Sequence, residues 1–103
     1  GCMKSMAPSR IHRLSPLAEN DMEGVWTYSA TQWSSVQAEA YTRELLIAFH
    51  DLAAGRRVGT PITARRNYLR LLVGSYAIFY QMTDTSADII RVLHQSMDVR
   101  RHL

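Results

Sequence analysis

Two short runs in the last third of the chain limit what it can fold into. Tyr68-Leu69-Arg70-Leu71-Leu72-Val73 and Tyr76-Ala77-Ile78-Phe79-Tyr80-Gln81-Met82 are rich in β-forming residues and are separated only by Gly74-Ser75. A two-residue connection of that kind suits a tight hairpin. A third run, residues 87–93, follows the turn formers Asp84-Thr85-Ser86. Strict alternation puts Leu69, Leu71 and Val73 on one side of the first run and Tyr68, Arg70 and Leu72 on the other. In the second run it separates Tyr76, Ile78, Tyr80 and Met82 from Ala77, Phe79 and Gln81; in the third it sets Ile89, Arg91 and Leu93 against Ile90 and Val92. Both faces of such a sheet are apolar. One must be covered by the residues that precede it. The other, carrying Arg70 or Arg91 among hydrophobes, is expected to stay half exposed unless a partner covers it.

The preceding residues supply the cover. Residues 1–8, small and polar with Pro8, read as a flexible N-terminus, and Gly1-Cys2 ahead of Met3 reads as a remnant before the natural start. Residues 9–103 form the expected single domain, opening on a short strand over 9–14. Ser15-Pro16 then starts a helix, because serine caps and proline at the first helical position lacks an N–H that would go unpaired there. Ala18, Met22, Val25, Trp26, Ser29, Ala30 and Trp33 recur at helical spacing, and Gly24 among them suggests close helix packing. Ser34 and Gln37 stand at capping-box spacing before a second helix. Its apolar face runs Ala38, Tyr41, Leu45, Ala48, Phe49 and Leu52, broadened by Leu46 and Ile47, and Gly55 suits its C-terminal end. Helices joined so closely make an αα-hairpin that packs on the sheet. Residues 56–67 read as a loop carrying Arg56, Arg57, Arg65 and Arg66, either solvated or able to grip an acidic segment.

Charge is unevenly spread. Residues 1–55 hold four Lys/Arg against six acids, and residues 56–103 hold eight Arg against three acids. The second half therefore presents positive potential, suited to an acidic partner or to a nucleic acid, with a merely solvated basic surface as the plain alternative. No apolar run approaches the roughly 18 residues of a membrane span. The single Cys2 rules out a disulfide framework or cysteine metal cluster and fits a reducing cytoplasm. No cofactor and no metal site are expected.

The order strand, helix hairpin, loop, three strands and basic tail is joined by more specific pieces. Arg13-Leu14-Ser15-Pro16-Leu17-Ala18-Glu19, Val25-Trp26-Thr27-Tyr28-Ser29, Gln32-Trp33 and Gln37-Ala38-Glu39-Ala40-Tyr41 stand in the first half. Gly74-Ser75-Tyr76-Ala77-Ile78-Phe79-Tyr80 and Ile90-Arg91-Val92-Leu93-His94-Gln95-Ser96-Met97-Asp98 stand in the second. In this order the pieces resemble the ParE branch of the RelE/ParE superfamily, the toxins of bacterial type II toxin–antitoxin modules, from about Ile11 onward. The loop around Arg56, Arg57 and Val58 departs from the pattern, being shorter and less acidic.

The resemblance implies an α+β fold, with an N-terminal strand and αα-hairpin packed on a small, mainly antiparallel twisted sheet. It also implies a cytoplasmic toxin that inhibits DNA gyrase by stabilising the cleaved-DNA complex, performs no catalysis itself, and is neutralised by a ParD-like antitoxin in a hetero-oligomer. An antitoxin segment that folds as it wraps the toxin would suit a half-exposed apolar face. Expected antitoxin contacts are Tyr28, Trp33, Ile47, Arg57, Arg65, Arg70, Tyr76 and Arg91. Expected gyrase contacts are the tail residues Met97, Asp98, Arg100, Arg101 and His102, and no sequence-specific nucleic-acid binding is expected. The alternative is a ribosome-dependent messenger-RNA endoribonuclease of the RelE type. That chemistry needs a proton acceptor, a proton donor and cations beside the phosphate. Arg70, Arg91, His94 and His102 are raw material for it. No tyrosine follows Tyr80, however, and the only lysine is Lys4. His94 reads first as a structural group, and Phe79, Tyr80, Trp26 and Trp33 read as core.

Overall fold

The apolar patterns close into one sheet with two helices on a single side. The computed structural model describes residues 11–63 and 65–94. Strand β1 (Ile11–Leu14) leads into helix α1 (Pro16–Gln32), and α2 (Ser35–Ala54) packs against it. Then come β2 (Thr60–Pro61), β3 (Leu69–Val73), β4 (Tyr76–Met82) and β5 (Ser86–His94). The strand order is β1-β5-β4-β3-β2, with β1 parallel to β5 and every other pair antiparallel.

The element ends obey the local chemistry. The Ser15 hydroxyl accepts the Ala18 N–H at 3.0 Å and donates to the Ile90 carbonyl at 2.7 Å, so the cap of α1 is also tied to β5. The Ser34 hydroxyl accepts from the Gln37 N–H at 3.1 Å and starts α2. Gly55 ends α2 at φ 80°, and Gly74 opens the β3–β4 turn at φ 58°. The turn into β5 is held by the Thr83 hydroxyl, which accepts the Ser86 N–H at 2.9 Å.

The main core lies between helices and sheet. Ala18 and Val25 from α1 meet Leu45, Ala48, Phe49 and Leu52 from α2 over Ile78, Tyr80, Ile89 and Val92. Tyr80 is buried, yet its hydroxyl has a partner, accepting the Gly59 N–H at 2.7 Å. That bond draws the residues after α2 against the sheet. A Cβ on Gly59 would stand 2.5 Å from the Arg70 carbonyl oxygen, so the approach requires glycine.

Five sequence expectations are corrected here. First, the loop contains β2, a two-residue edge strand pairing Thr60 with Arg70 and Pro61 with Leu69; proline is tolerated because the strand is at the edge. Second, Ile89 and Val92 share the helix-covered core, although strict alternation separates them. Tyr80 pairs with Ile89 while Phe79 pairs with Arg91, so Ile90 is an extra residue, a β-bulge that reverses the facing of the strand beyond it. Third, the second face of the sheet is closed at its centre. Ala77, Phe79 and Leu93 are buried there with Ile62 packed on them, while the margins of that face stay exposed, Arg70 and Leu72 on β3 and Ile11 and Arg13 on β1. Fourth, Gly24 faces open space rather than a close helix contact. Fifth, Trp26 and Trp33 are exposed, unlike the buried Phe79 and Tyr80.

Candidate interaction surface

The outer side of the helix hairpin is unusually apolar. On α2, Leu45, Ala48, Phe49 and Leu52 take the buried side, and the 100° step per residue turns Leu46 and Ile47 outward. Leu46 and Ile47 therefore do not broaden the core face; both are exposed, as is Val36 in the first turn of the helix. On α1 the exposed apolar groups are Leu17, Trp26 and Tyr28, and Trp33 follows at the cap, 61% exposed.

From Trp33 a row of rings runs into the core. Tyr28 stands edge-on to Trp33 at 6.2 Å between centroids, and Trp33 lies 6.0 Å from Tyr41. Tyr41 is edge-on to Tyr76 at 6.4 Å, and Tyr76 to His94 at 5.4 Å. These separations are those of favourable offset and edge-to-face pairs. The row joins α1, the inter-helix turn, α2, β4 and the end of β5. It links the exposed Trp33, through the half-buried Tyr41, to the buried Tyr76. Burial pushes the Tyr76 hydroxyl pKa up, so Tyr76 enters this row as a neutral phenol.

The arginines divide into committed and exposed groups. Arg91 closes on Asp21 of α1 with its Nε at 2.7 Å from one carboxylate oxygen and Nη2 at 3.0 Å from the other; the first oxygen also accepts the Val92 N–H at 3.0 Å. Both side chains are mostly buried. Asp21 sits where β1 has ended, and it receives an N–H of β5 that has no strand beside it. Arg56 and Arg57 converge on Asp51 of α2 at 3.0 and 3.7 Å. Arg65 lies over the Tyr68 ring at 5.9 Å, and Arg70 is exposed on β3.

The residues expected to meet an antitoxin are thus not one patch. Tyr28, Trp33 and Ile47 share the exposed hairpin; Arg57, Arg65 and Arg70 belong to the loop and the β3 margin; Tyr76 and Arg91 lie inside the fold. Met97, Asp98, Arg100, Arg101 and His102, expected to meet gyrase, lie outside the described residues, and so does His102 as a nuclease candidate. His94 is exposed at the end of β5 against Tyr76. Sequence reading missed Asp21 as the partner of Arg91 and Tyr41 as the link in the ring row. Only the helical spacing of Tyr41 hinted at an inward orientation, and nothing local marks Asp21. Among the described residues there is no group of three or more His, Cys, Asp or Glu side chains placed to hold a metal ion, and no helix is long and apolar enough to cross a membrane.

An αα-hairpin on one side of a five-stranded sheet, with a parallel first strand beside the last, is the α+β fold of RelE/ParE-type toxins. Solved toxin–antitoxin structures share it. The chromosomal ParDE TA system from P. aeruginosa superposes with a TM-score of 0.73 at 11% identity, covering 84% of this chain and 96% of that one. The toxin–antitoxin complex RelBE2 from Mycobacterium tuberculosis gives 0.58 at 23% identity, covering 90% and 98%. At such identities the likeness concerns the fold alone. Sequence goes further: residues 12–99 match the family described as ParE toxin of type II toxin-antitoxin system, parDE. Toxin ParE1 of Caulobacter vibrioides is 41% identical over 93 residues, 89% of this chain and 96% of that protein. Toxin ParE1 of Mycobacterium tuberculosis is 41% identical over 97 residues, 92% and 99% respectively. The chain belongs to the ParE toxin family of type II toxin–antitoxin systems.

Proposed function

We propose that this toxin inhibits DNA gyrase by binding the cleaved-DNA complex more tightly than the resealed one, and that a ParD-like antitoxin encoded beside it neutralises it. The observation that carries the reading is the match of residues 12–99 to the ParE family, together with relatives named Toxin ParE1 over nearly their whole length. Holding one state of an equilibrium needs only differential affinity and no chemistry by the toxin itself. The commitment of Arg91 supports that reading over RNA cleavage. A guanidinium already held by two bonds to Asp21 would have to abandon a mostly buried carboxylate before it could receive a phosphate.

An antitoxin as partner is supported by the two structural neighbours, a ParDE system and a RelBE2 toxin–antitoxin complex. Its seat is the exposed hairpin carrying Tyr28, Trp33 and Ile47, reaching the β3 margin at Arg70. Gyrase contact is assigned to the basic tail, Met97, Asp98, Arg100, Arg101 and His102.

The decisive experiment is a supercoiling assay with purified gyrase. The toxin should abolish supercoiling and accumulate cleaved DNA, and a translating extract treated in parallel should yield no messenger-RNA fragments. Arg100→Glu with Arg101→Glu should lose gyrase inhibition while keeping antitoxin binding. An unaffected gyrase would overturn the proposal, and RNA fragments lost on His94→Ala would replace it with the RelE-type nuclease.

A further inference from the structure

Two histidines far apart in sequence meet where α2 crosses the edge strand. His12 on β1 and His50 on α2 have ring centroids 4.8 Å apart with planes at 75°. His12 also lies beside the ring of Phe49, 5.8 Å away at 41°, and Phe49 is buried in the core. His50 is exposed and His12 half-buried. We propose that His12 and His50 form a two-imidazole site for a borderline divalent transition metal of the Ni²⁺, Cu²⁺ or Zn²⁺ class, which clamps β1 to α2.

The geometry argues for it. Metal–imidazole bonds are about 2.0–2.1 Å; with the ring radius added, two imidazoles on one ion at angles between square and tetrahedral place their centroids about 4.6–5.3 Å apart. The observed 4.8 Å falls within that span. An ordinary pair of rings also stacks at such distances; in this pair one ring rests beside the buried Phe49 and the other is exposed and able to turn. The terminal torsion of histidine is broad, so the His50 ring can turn a nitrogen toward the shared point at little cost. Imidazole is a ligand that suits Ni²⁺, Cu²⁺ and Zn²⁺ alike, and neither Ca²⁺ nor Mg²⁺. Among the described residues no third His, Cys, Asp or Glu side chain joins the pair, so water completes the shell and the ion exchanges readily.

The site would matter because of what it joins. β1 is an edge strand of four residues, bonded to the sheet only through β5. A metal held between β1 and α2 exists only in the folded chain, so it stabilises that state by an amount that grows with the logarithm of the free ion concentration once that concentration exceeds Kd.

The test is Ni²⁺ titration of the full chain at neutral pH, read by calorimetry and by thermal melting. Wild type should take up one ion and melt at a higher temperature as Ni²⁺ increases. His50→Gln, a surface change, should melt like the metal-free wild type and lose at least about tenfold in Ni²⁺ affinity. His12→Gln should show the same loss, and His94→Gln should bind as wild type does. The proposal falls if wild type takes up no Ni²⁺ or if His50→Gln binds it unchanged; the exposed His50 variant decides even where His12→Gln fails to fold.

Discussion

Single residues carry two consequences that the sequence did not announce. Asp21 accepts from both the side chain of Arg91 and the Val92 backbone, and the pair is largely out of water. Removing one member of such a pair leaves the other charge desolvated without compensation. Asp21→Ala should therefore lower the unfolding free energy by about 3–5 kcal/mol, measured by urea denaturation. Asp88 behaves differently, because its partner Arg13 is largely exposed. The two bonds from Arg13, at 2.9 and 3.1 Å, hold the Asp88 carboxyl below its usual 3.8, with a further bond from the Ser86 hydroxyl in support and partial burial opposing. A depressed folded-state pKa means that the unfolded chain binds the proton first as pH falls. The contribution is thus present above pH 3.8 and disappears as pH drops through the lower folded value. Urea midpoints measured from pH 5 downward should fall less steeply below that point in Asp88→Asn than in wild type. Equal slopes would mean that this ion pair is not linked to folding.

At the scale of elements, two glycines make opposite predictions. Gly24 lies in the middle of α1 with open space where its Cβ would be, so the residue carries only the entropic disadvantage of glycine in a helix. Gly24→Ala should stabilise by about 1 kcal/mol and raise the melting temperature. Gly59 is the reverse case, because an added Cβ would collide with the Arg70 carbonyl and crowd the Tyr80 hydroxyl. Gly59→Ala should cost about 1–3 kcal/mol through overpacking and loosen the residues between α2 and β3, visible as faster amide exchange at Thr60 and Ile62. The elements themselves were legible because their ends are local: Ser15-Pro16, Ser34, Gly55 and Gly74-Ser75 act through backbone bonds and φ values within one turn. The bulge at Ile90 was not legible. A single inserted residue leaves no mark in an apolar run, and its effect shows only in the pairing with β4.

For the whole molecule, the question is which surface remains for a partner once the fold has used its apolar residues. The helices cover one face of the sheet, and the opposite face is closed at its centre, leaving the outer side of the hairpin as the larger apolar surface. If the antitoxin seats there, Trp33→Ala combined with Ile47→Asp should weaken antitoxin binding at least tenfold, about 1.4 kcal/mol, while changing the melting curve little. Unchanged affinity would move the seat to the β3 margin. By itself the sequence determined the succession of the helices and the four longer strands, most of their ends, the two alternating residue sets of β3 and β4 and the resemblance to ParE toxins, because periodicity, capping and turn chemistry act over a few neighbouring residues. Only the tertiary structure decided that Arg91 belongs to Asp21, that Trp33 stands in the open at the end of a row of rings, and that His12 meets His50. Those pairings join residues brought together by the crossing of helix and strand, and no local pattern encodes a crossing.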